Sequence, residues 1–398
     1  MATKQKASAK AEQKVNKKEN KKSRFIFVDG EIDYTFLVIV ILIVAAGLVM
    51  MLSASAPVGM QAGDSYSFFR KQLFSAIAGF IGMWFVSRID YKSYKRILPV
   101  ILLACAVLLV FVLIPGFGRR INGARRWLNT PLIPIQPSEF IKPIIAMCFA
   151  YIIERDIFDL KTFKGNLPFL VVVGIISILM IFQPHLSGTI VIVGIALVVM
   201  IAGGAPWKVY IFSGLLAVPL GGVALWLWDE ERWSRITSFF DPFADMQDTG
   251  YQITQALYAI GSGKIFGLGL GESVQKYSYL PEPYNDFIFA IVCEELGMVG
   301  AIVIMLLFLA LIFRGVKIAL NAPDVYTTLT AIGIVGHIAI QTIFNIAVAT
   351  SSVPNTGVAL PFFSYGGTSI LTLLVEMGIL LNISRYEKKP PRVKKKKK

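Results

Sequence analysis

Cysteine and histidine are nearly absent from this chain, which has three Cys and two His in 398 residues. Cys105, Cys148 and Cys293 each fall inside an apolar run. That placement excludes a disulfide framework and a zinc pattern, and marks them as small buried hydrophobes. His185 and His337 are too few and too far apart for a metal site, so both read as hydrogen-bonded interior residues. Charge is scarce as well: 16% of residues are charged against 55% hydrophobic, with a mean hydropathy of +0.65. A soluble domain of this length is excluded. The glycines Gly261, Gly263, Gly267, Gly269 and Gly271 do not fit G-x-G-x-x-G, and no Walker lysine is present, which argues against nucleotide binding.

What remains is a set of apolar runs. Ten can be drawn: Tyr34 to Ser53, Gln72 to Ser87, Ile97 to Pro115, Pro137 to Ile153, Leu167 to Phe182, Thr189 to Gly204, Val209 to Trp228, Phe287 to Phe313, Thr328 to Thr350 and Gly366 to Ile383. Several fall short of about 20 residues, so neighbouring helices must cover their ends. The fold expected is all-α: a polytopic membrane protein with about ten transmembrane helices and one large extracellular loop, residues 229–286, between spans 7 and 8. No secretory cleavage signal precedes the first run.

The net charge of +14 sits in the tails. Residues 1–24 carry nine Lys or Arg against two Glu, and residues 385–398 carry nine against one. Both tails, 1–30 and 386–398, read as cytoplasmic, low-complexity segments drawn to anionic lipid, flanking a membrane domain over 31–385. Nucleic-acid binding is not expected, because a dedicated site needs basic and stacking groups on a folded surface. The short loops Arg88 to Arg96, Glu154 to Gly165 and Arg314 to Asp324 hold Lys or Arg and fall on the cytoplasmic side.

One external loop breaks that rule. Gly116 to Gln136 carries Arg119, Arg120, Arg125 and Arg126 and no acidic residue. Guanidinium groups match phosphate oxygens in pairs, so a phosphate-bearing ligand at the outer surface would account for them; lipid headgroups or the acids of the Asp229 to Asp248 loop are the alternatives. In that long loop, Tyr251, Ile253, Ala256, Leu257 and Ile260 share one helical face, which predicts an interfacial helix followed by a close-packed glycine turn. At its end Asp286 stands at the mouth of an apolar segment, where a carboxylate is costly and functional by default.

Together NGARRWL, QPSEFIKP, GYQITQALYAIGSG, PEPYNDFIFAIVCEELG and PNTGVALPFFSYGGTS resemble the SEDS family of peptidoglycan polymerases, FtsW, RodA and SpoVE, in order from about Asp33 to Arg385. The wording leans toward the FtsW and SpoVE branch. The resemblance implies a glycosyltransferase that polymerises lipid II on the outer face of the cytoplasmic membrane, with a class B penicillin-binding protein as partner among divisome or elongasome proteins. It places Asp286 at the family's essential aspartate. A relative's common QPDLGT stands here as Gln183 to Thr189 with His185 in the acid's place, so no carboxylate role carries over to that segment.

The chemistry asks for one base, because a pyrophosphate leaves without protonation, unlike the paired acids of glycosidases. Arg119, Arg120, Arg125, Arg126 and Lys142 are the cations available to it. Trp127, Gln183, Ser364 and Tyr365 are further substrate-binding candidates, and so is Glu139, which is equally placed to form an ion pair with Lys142. Glu294 and Glu295, about 12 Å along the helix at 1.5 Å per residue, read as internal or intersubunit partners. No metal ligand set is expected; a divalent cation, Mg or Mn, is left open as a cofactor. A lipid II flippase and a non-catalytic scaffold are the rival readings, separated by whether polar groups continue through the membrane depth.

Overall fold

The computed structural model describes residues 28, 30–121, 124–129, 134–211, 214, 237, 239–241, 243 and 250–386. The basic tails, most of the expected span Val209 to Trp228 and most of the loop after it lie outside these residues. Eleven helices are described: α1 (Tyr34–Gln61), α2 (Ser67–Val86), the short α3 (Tyr91–Tyr94), α4 (Leu98–Leu113), α5 (Pro137–Glu154), α6 (Phe163–Phe182), α7 (Leu186–Ala202), α8 (Tyr251–Ser262), α9 (Ile288–Leu320), α10 (Val325–Ala349) and α11 (Gly367–Ser384). Six helical segments among the described residues are long and apolar enough to cross a membrane. These six carry few charged residues along their apolar stretches, as expected where lipid takes the place of water.

Several ends differ from expectation. α1 runs on to Gln61 and α9 to Leu320, each past the apolar stretch that announced it. The fold was expected to be all-α, but the arginine loop contains the described strands, a two-stranded hairpin of β1 (Gly118–Ile121) and β2 (Ala124–Leu128).

Close helix packing depends on small residues. α11 lies along α2, where a Cβ on Gly79 would come within 2.6 Å of Leu374, and one on Gly378 within 2.6 Å of the Met83 carbonyl. Asn382 ties the far ends of the pair together, donating to the Ser87 carbonyl at 2.9 Å and the Ile89 carbonyl at 2.8 Å. α10 packs against α5, α7 and α9 at the centre. Two polar pairs are buried there: the Lys142–Glu139 ion pair at 2.6 Å within α5, and a hydrogen bond between His337 Nδ1 and Glu376 Oε2 at 2.8 Å between α10 and α11.

The two ends of the bundle differ. At one, Val28 donates to the Arg88 carbonyl and Arg385 donates to the carbonyls of Ser87 and Gly30, so the first and last described residues meet. At the other lie the hairpin, the N-termini of α5, α9 and α11 and the C-terminus of α10, and here the site candidates gather.

Candidate active site

Asp286 ends the PEPYND segment. α9 starts at Ile288 with Phe287 as N-cap, so the helix does not reach back to Asp286. The reason is competition for the backbone: the Asn285 carbonyl accepts the Ser364 hydroxyl at 2.7 Å, and the Tyr284 carbonyl accepts the Tyr365 amide at 2.9 Å. Asp286 therefore stands just outside the positive end of α9, which favours a negative side chain. It is half-buried, and its own carbonyl accepts Asn345 Nδ2 at 2.7 Å.

Three more segments close around it. Asn345 also donates to the Val358 carbonyl at 2.8 Å, which draws in the PNTG segment. Gly357 sits there with φ of +69°, and a Cβ at that position would lie 3.0 Å from Asp286 Oδ2. Asn355 donates to Gln252 at 3.1 Å, bringing α8 to the same place. Thus the GYQIT, PEPYND, PNTG and FFSYGG motifs, dispersed over more than a hundred residues, converge on the segment that carries Asp286.

Ser364 and Tyr365 form the floor of this turn. Gln72 of α2 receives the Gly366 amide at 3.1 Å and donates to the Ser364 carbonyl at 3.2 Å. The rings of Phe68, Tyr284 and Tyr365 cluster with centroids 4.9 to 6.0 Å apart. Burial, then the adjacent Glu282 carboxylate, push the Tyr284 hydroxyl well above the ordinary phenol range, and burial raises Tyr365 too. Both stay protonated at neutral pH and are donors rather than bases.

The hairpin reaches the same end through α11. Thr368 accepts from the Gln136 amide at 3.3 Å and donates to the Pro134 carbonyl at 2.9 Å. Arg119 pairs across the ladder with Trp127, and Arg120 with Arg125, with a bulge between Arg119 and Arg120. Like charges directly opposite one another repel, so an anion between them is stabilising. Arg119 and Arg120 are exposed; Arg125, Arg126 and Trp127 are half-buried. Arg126 turns inward, donating to the carbonyls of Gln183 and Pro184.

The remaining candidates lie deeper. Gln183 is fully buried and donates to the Leu109 carbonyl at 2.8 Å, a contact that joins the end of α6 to α4. The geometry does not bring it to Asp286. His185 shares a hydrogen bond with Gln136 at 3.1 Å beneath the hairpin. Glu139 and Lys142 are paired and buried, linked upward through Ser369. Glu294 and Glu295 find internal partners in the glycine-rich turn after α8. Among the described residues no group of three or more His, Cys, Asp or Glu side chains comes together as a metal site. Asn345, Gly357 and Gln72 were missed by sequence reasoning; Gly357 alone carried a signal, inside PNTG.

The fold and this site define a polytopic membrane protein with the Asp286 carboxylate held at one end of the bundle, the end that also carries an arginine hairpin. The chain belongs to the FtsW/RodA/SpoVE family of cell cycle proteins, whose model matches residues 33–389. It is 42% identical over 358 residues to the stage V sporulation protein E of Bacillus subtilis, covering 89% of this chain and 98% of that protein. It is 38% identical over 364 residues to the "Probable peptidoglycan glycosyltransferase FtsW" of Trichlorobacter lovleyi, covering 91% and 95%. A chain of a solved peptidoglycan synthase complex that coordinates polymerization and crosslinking superposes with a TM-score of 0.74 at 26% identity, over 90% of this chain and 99% of that one. The Thermus thermophilus rod shape determining protein RodA superposes at 0.67 with 25% identity, over 90% and 98%.

Proposed function

We propose that this chain is an inverting peptidoglycan glycosyltransferase that polymerises lipid II, with Asp286 as the general base. The observation that carries the reading is the convergence of four separated motifs on the segment that presents Asp286. The acceptor's sugar 4-hydroxyl oxygen attacks C1 of the donor as Asp286 takes its proton. The C1–oxygen bond breaks, and its electron pair leaves with the lipid pyrophosphate. Arg119, Arg120 and Arg125 are the groups we assign to that pyrophosphate, since fixed positive charge aimed at a departing anion lowers the barrier without reorganising. Arg126 serves by fastening the hairpin over the α6–α7 junction. Ser364 and Tyr365 hold the segment that carries the base.

The outer face is assigned to the Asp286 end. Arg88, Lys92, Lys95, Arg96, Arg155, Lys161, Lys164 and Arg385 lie on the loops and helix ends of the opposite side, where the positive-inside rule places the cytoplasm, so both tails emerge there. The partner proposed is a class B penicillin-binding protein with a single membrane helix. The lipid-facing stretch of α9, with Met298, Val299, Ile302, Leu306 and Leu309 exposed, is the surface suited to it.

Purified protein given fluorescent lipid II, with product length read on a gel, tests the assignment. Glycan strands are expected. Transbilayer movement of lipid II without strands would indicate a flippase, and neither activity a scaffold.

A further inference from the structure

α9 is not one continuous helix. Gly297 has φ of +66°, in the left-handed region, and separates a first segment, Ile288 to Leu296, from a longer second one. A break in a membrane helix frees backbone groups that lipid cannot satisfy. The turn following α8 supplies the partners. Leu268 and Gly269 donate to the carbonyls of Glu294 and Glu295 at 2.9 and 3.0 Å, while Met298 and Val299 donate to the carbonyls of Lys264 and Ile265 at 2.9 and 3.1 Å. Glycine is required for so close an approach: a Cβ on Gly263 would lie 1.9 Å from the Cys293 carbonyl oxygen, and one on Gly267 2.1 Å from that of Glu295.

Buried charges lock the same junction. Lys276 Nζ donates to Glu295 Oε1 at 2.7 Å, to Ser53 Oγ of α1 at 3.0 Å and to the Gly271 carbonyl at 2.6 Å. Ser53 also donates to both Glu295 oxygens, at 2.6 and 2.8 Å. The Glu294 carboxylate accepts the amides of Val274 and Gln275 at 3.0 and 3.3 Å, with the Ser273 hydroxyl beside them. Lys276 and Glu295 are 2% and 1% exposed. None of these groups has a part in the transfer step.

We propose that Lys276 and Glu295 are positioning residues for Asp286. The segment from Lys276 to Phe287 starts on the side chain of Glu295 and ends on the first turn of the same half-helix, so the ion pair closes it into a loop. Because Gly297 uncouples that half-helix from the rest of α9, the clamp to α1 and to the glycine turn sets its angle. That angle sets where Asp286 stands against Gly357 and Asn345. The inference rests on the reading of Asp286 as the base only for its kinetic consequence; the geometric claim stands apart from it.

Two measurements on the full-length protein, reconstituted with its partner, test it. Lys276→Met should lower kcat at least tenfold per folded molecule with KM for lipid II within twofold of wild type. The double variant Lys276→Met/Glu295→Leu, which leaves no unpaired charge, should regain thermal stability without regaining kcat. Wild-type kcat in the double variant would mean that the pair serves stability alone, and would overturn the proposal. Where the charged variants fail to fold, Ser53→Ala removes one hydrogen bond from the pair and should lower kcat about threefold; no change would count against it. Independently of catalysis, cysteines placed at 286 and 357 should crosslink at least fivefold less efficiently with Lys276→Met or Ser53→Ala, and unchanged crosslinking would refute the geometric claim even if Asp286 proves not to be the base.

Discussion

Gly357 and Asp286 meet so closely that the side chain Gly357 lacks would stand 3.0 Å from a carboxylate oxygen. Absence of a Cβ therefore shapes the space in front of the proposed base as much as any residue that is present. Its left-handed φ adds a second reason, since a non-glycine residue there costs about 1–2 kcal/mol. Gly357→Ala should keep lipid II affinity while lowering kcat about tenfold, equivalent to about 1.4 kcal/mol in the barrier. Steady-state kinetics on purified enzyme decide it; a change confined to KM would move Gly357 out of the reacting region.

Substitution of Asp286, the proposed base, separates charge from reach. Asp286→Asn keeps the size and the backbone contact to Asn345 but cannot accept a proton, and should abolish glycan polymerisation at normal expression and partner binding. Asp286→Glu shifts the oxygens by about one methylene and should be strongly impaired. Near-normal strand synthesis by the Asn variant would show that Asp286 only terminates the helix.

Within the hairpin the arginines should divide. Arg125→Gln is expected to raise KM for lipid II about tenfold and to leave the fold intact. Arg126→Gln loses its hold on the Gln183 and Pro184 carbonyls. It should lower both thermal stability and activity. Equal melting temperatures for the two variants would contradict that division.

The bundle's other end offers a pH test. Asp324 caps α10 through the Thr327 amide at 2.8 Å and accepts the Tyr91 hydroxyl at 2.6 Å. Burial alone would raise its carboxyl, but those hydrogen bonds and the charge of Lys95 hold it below the ordinary carboxylate value. A lowered folded value contributes stability that is present above the unfolded pKa and is lost as pH falls through the folded one. Asp324→Ala should therefore cost about 1 kcal/mol at pH 7, the usual worth of a cap. The gap between variant and wild type in detergent melts should narrow toward acid pH; a gap that widens there would reverse the sign.

Partner association should be apolar. If the exposed face of α9 receives a membrane helix, co-purification should survive high salt, which screens ion pairs but not helix packing. Loss of the complex on removing only the partner's soluble domain, its membrane helix kept, would place the contact elsewhere.

The place of Asp286 at the rim of a long apolar helix was legible in the sequence, from the apolar run that begins at Phe287. Most spans were legible for the same reason of composition. The interruption at Gly297 was not: EELGMVG continues an apolar helix by every local measure, and only the arrival of the turn around Gly267 from another part of the chain satisfies a broken ladder. The hairpin escaped because ARRWL alternates poorly and its pairing depends on a bulge. The buried face of α8 was half read. Ile253 and Ala256 point inward as the spacing suggested, but Thr254 and Ala259 join them instead of Tyr251 and Leu257, since α9 and α10 press on two sides.

The lie of α11 along α2 has a consequence for biogenesis. Residues at the two ends of that contact, Ser87 and Asn382, are 295 positions apart, so a ribosome must release nearly the whole chain before α2 acquires its neighbour. Until then Gln72 has no turn to hold, and the carbonyls of Tyr284 and Asn285 have no Ser364 or Tyr365 to receive. An unfinished chain that already crosses the membrane many times still lacks these contacts, so premature stop codons anywhere before α11 should yield inert protein and not a weakened enzyme.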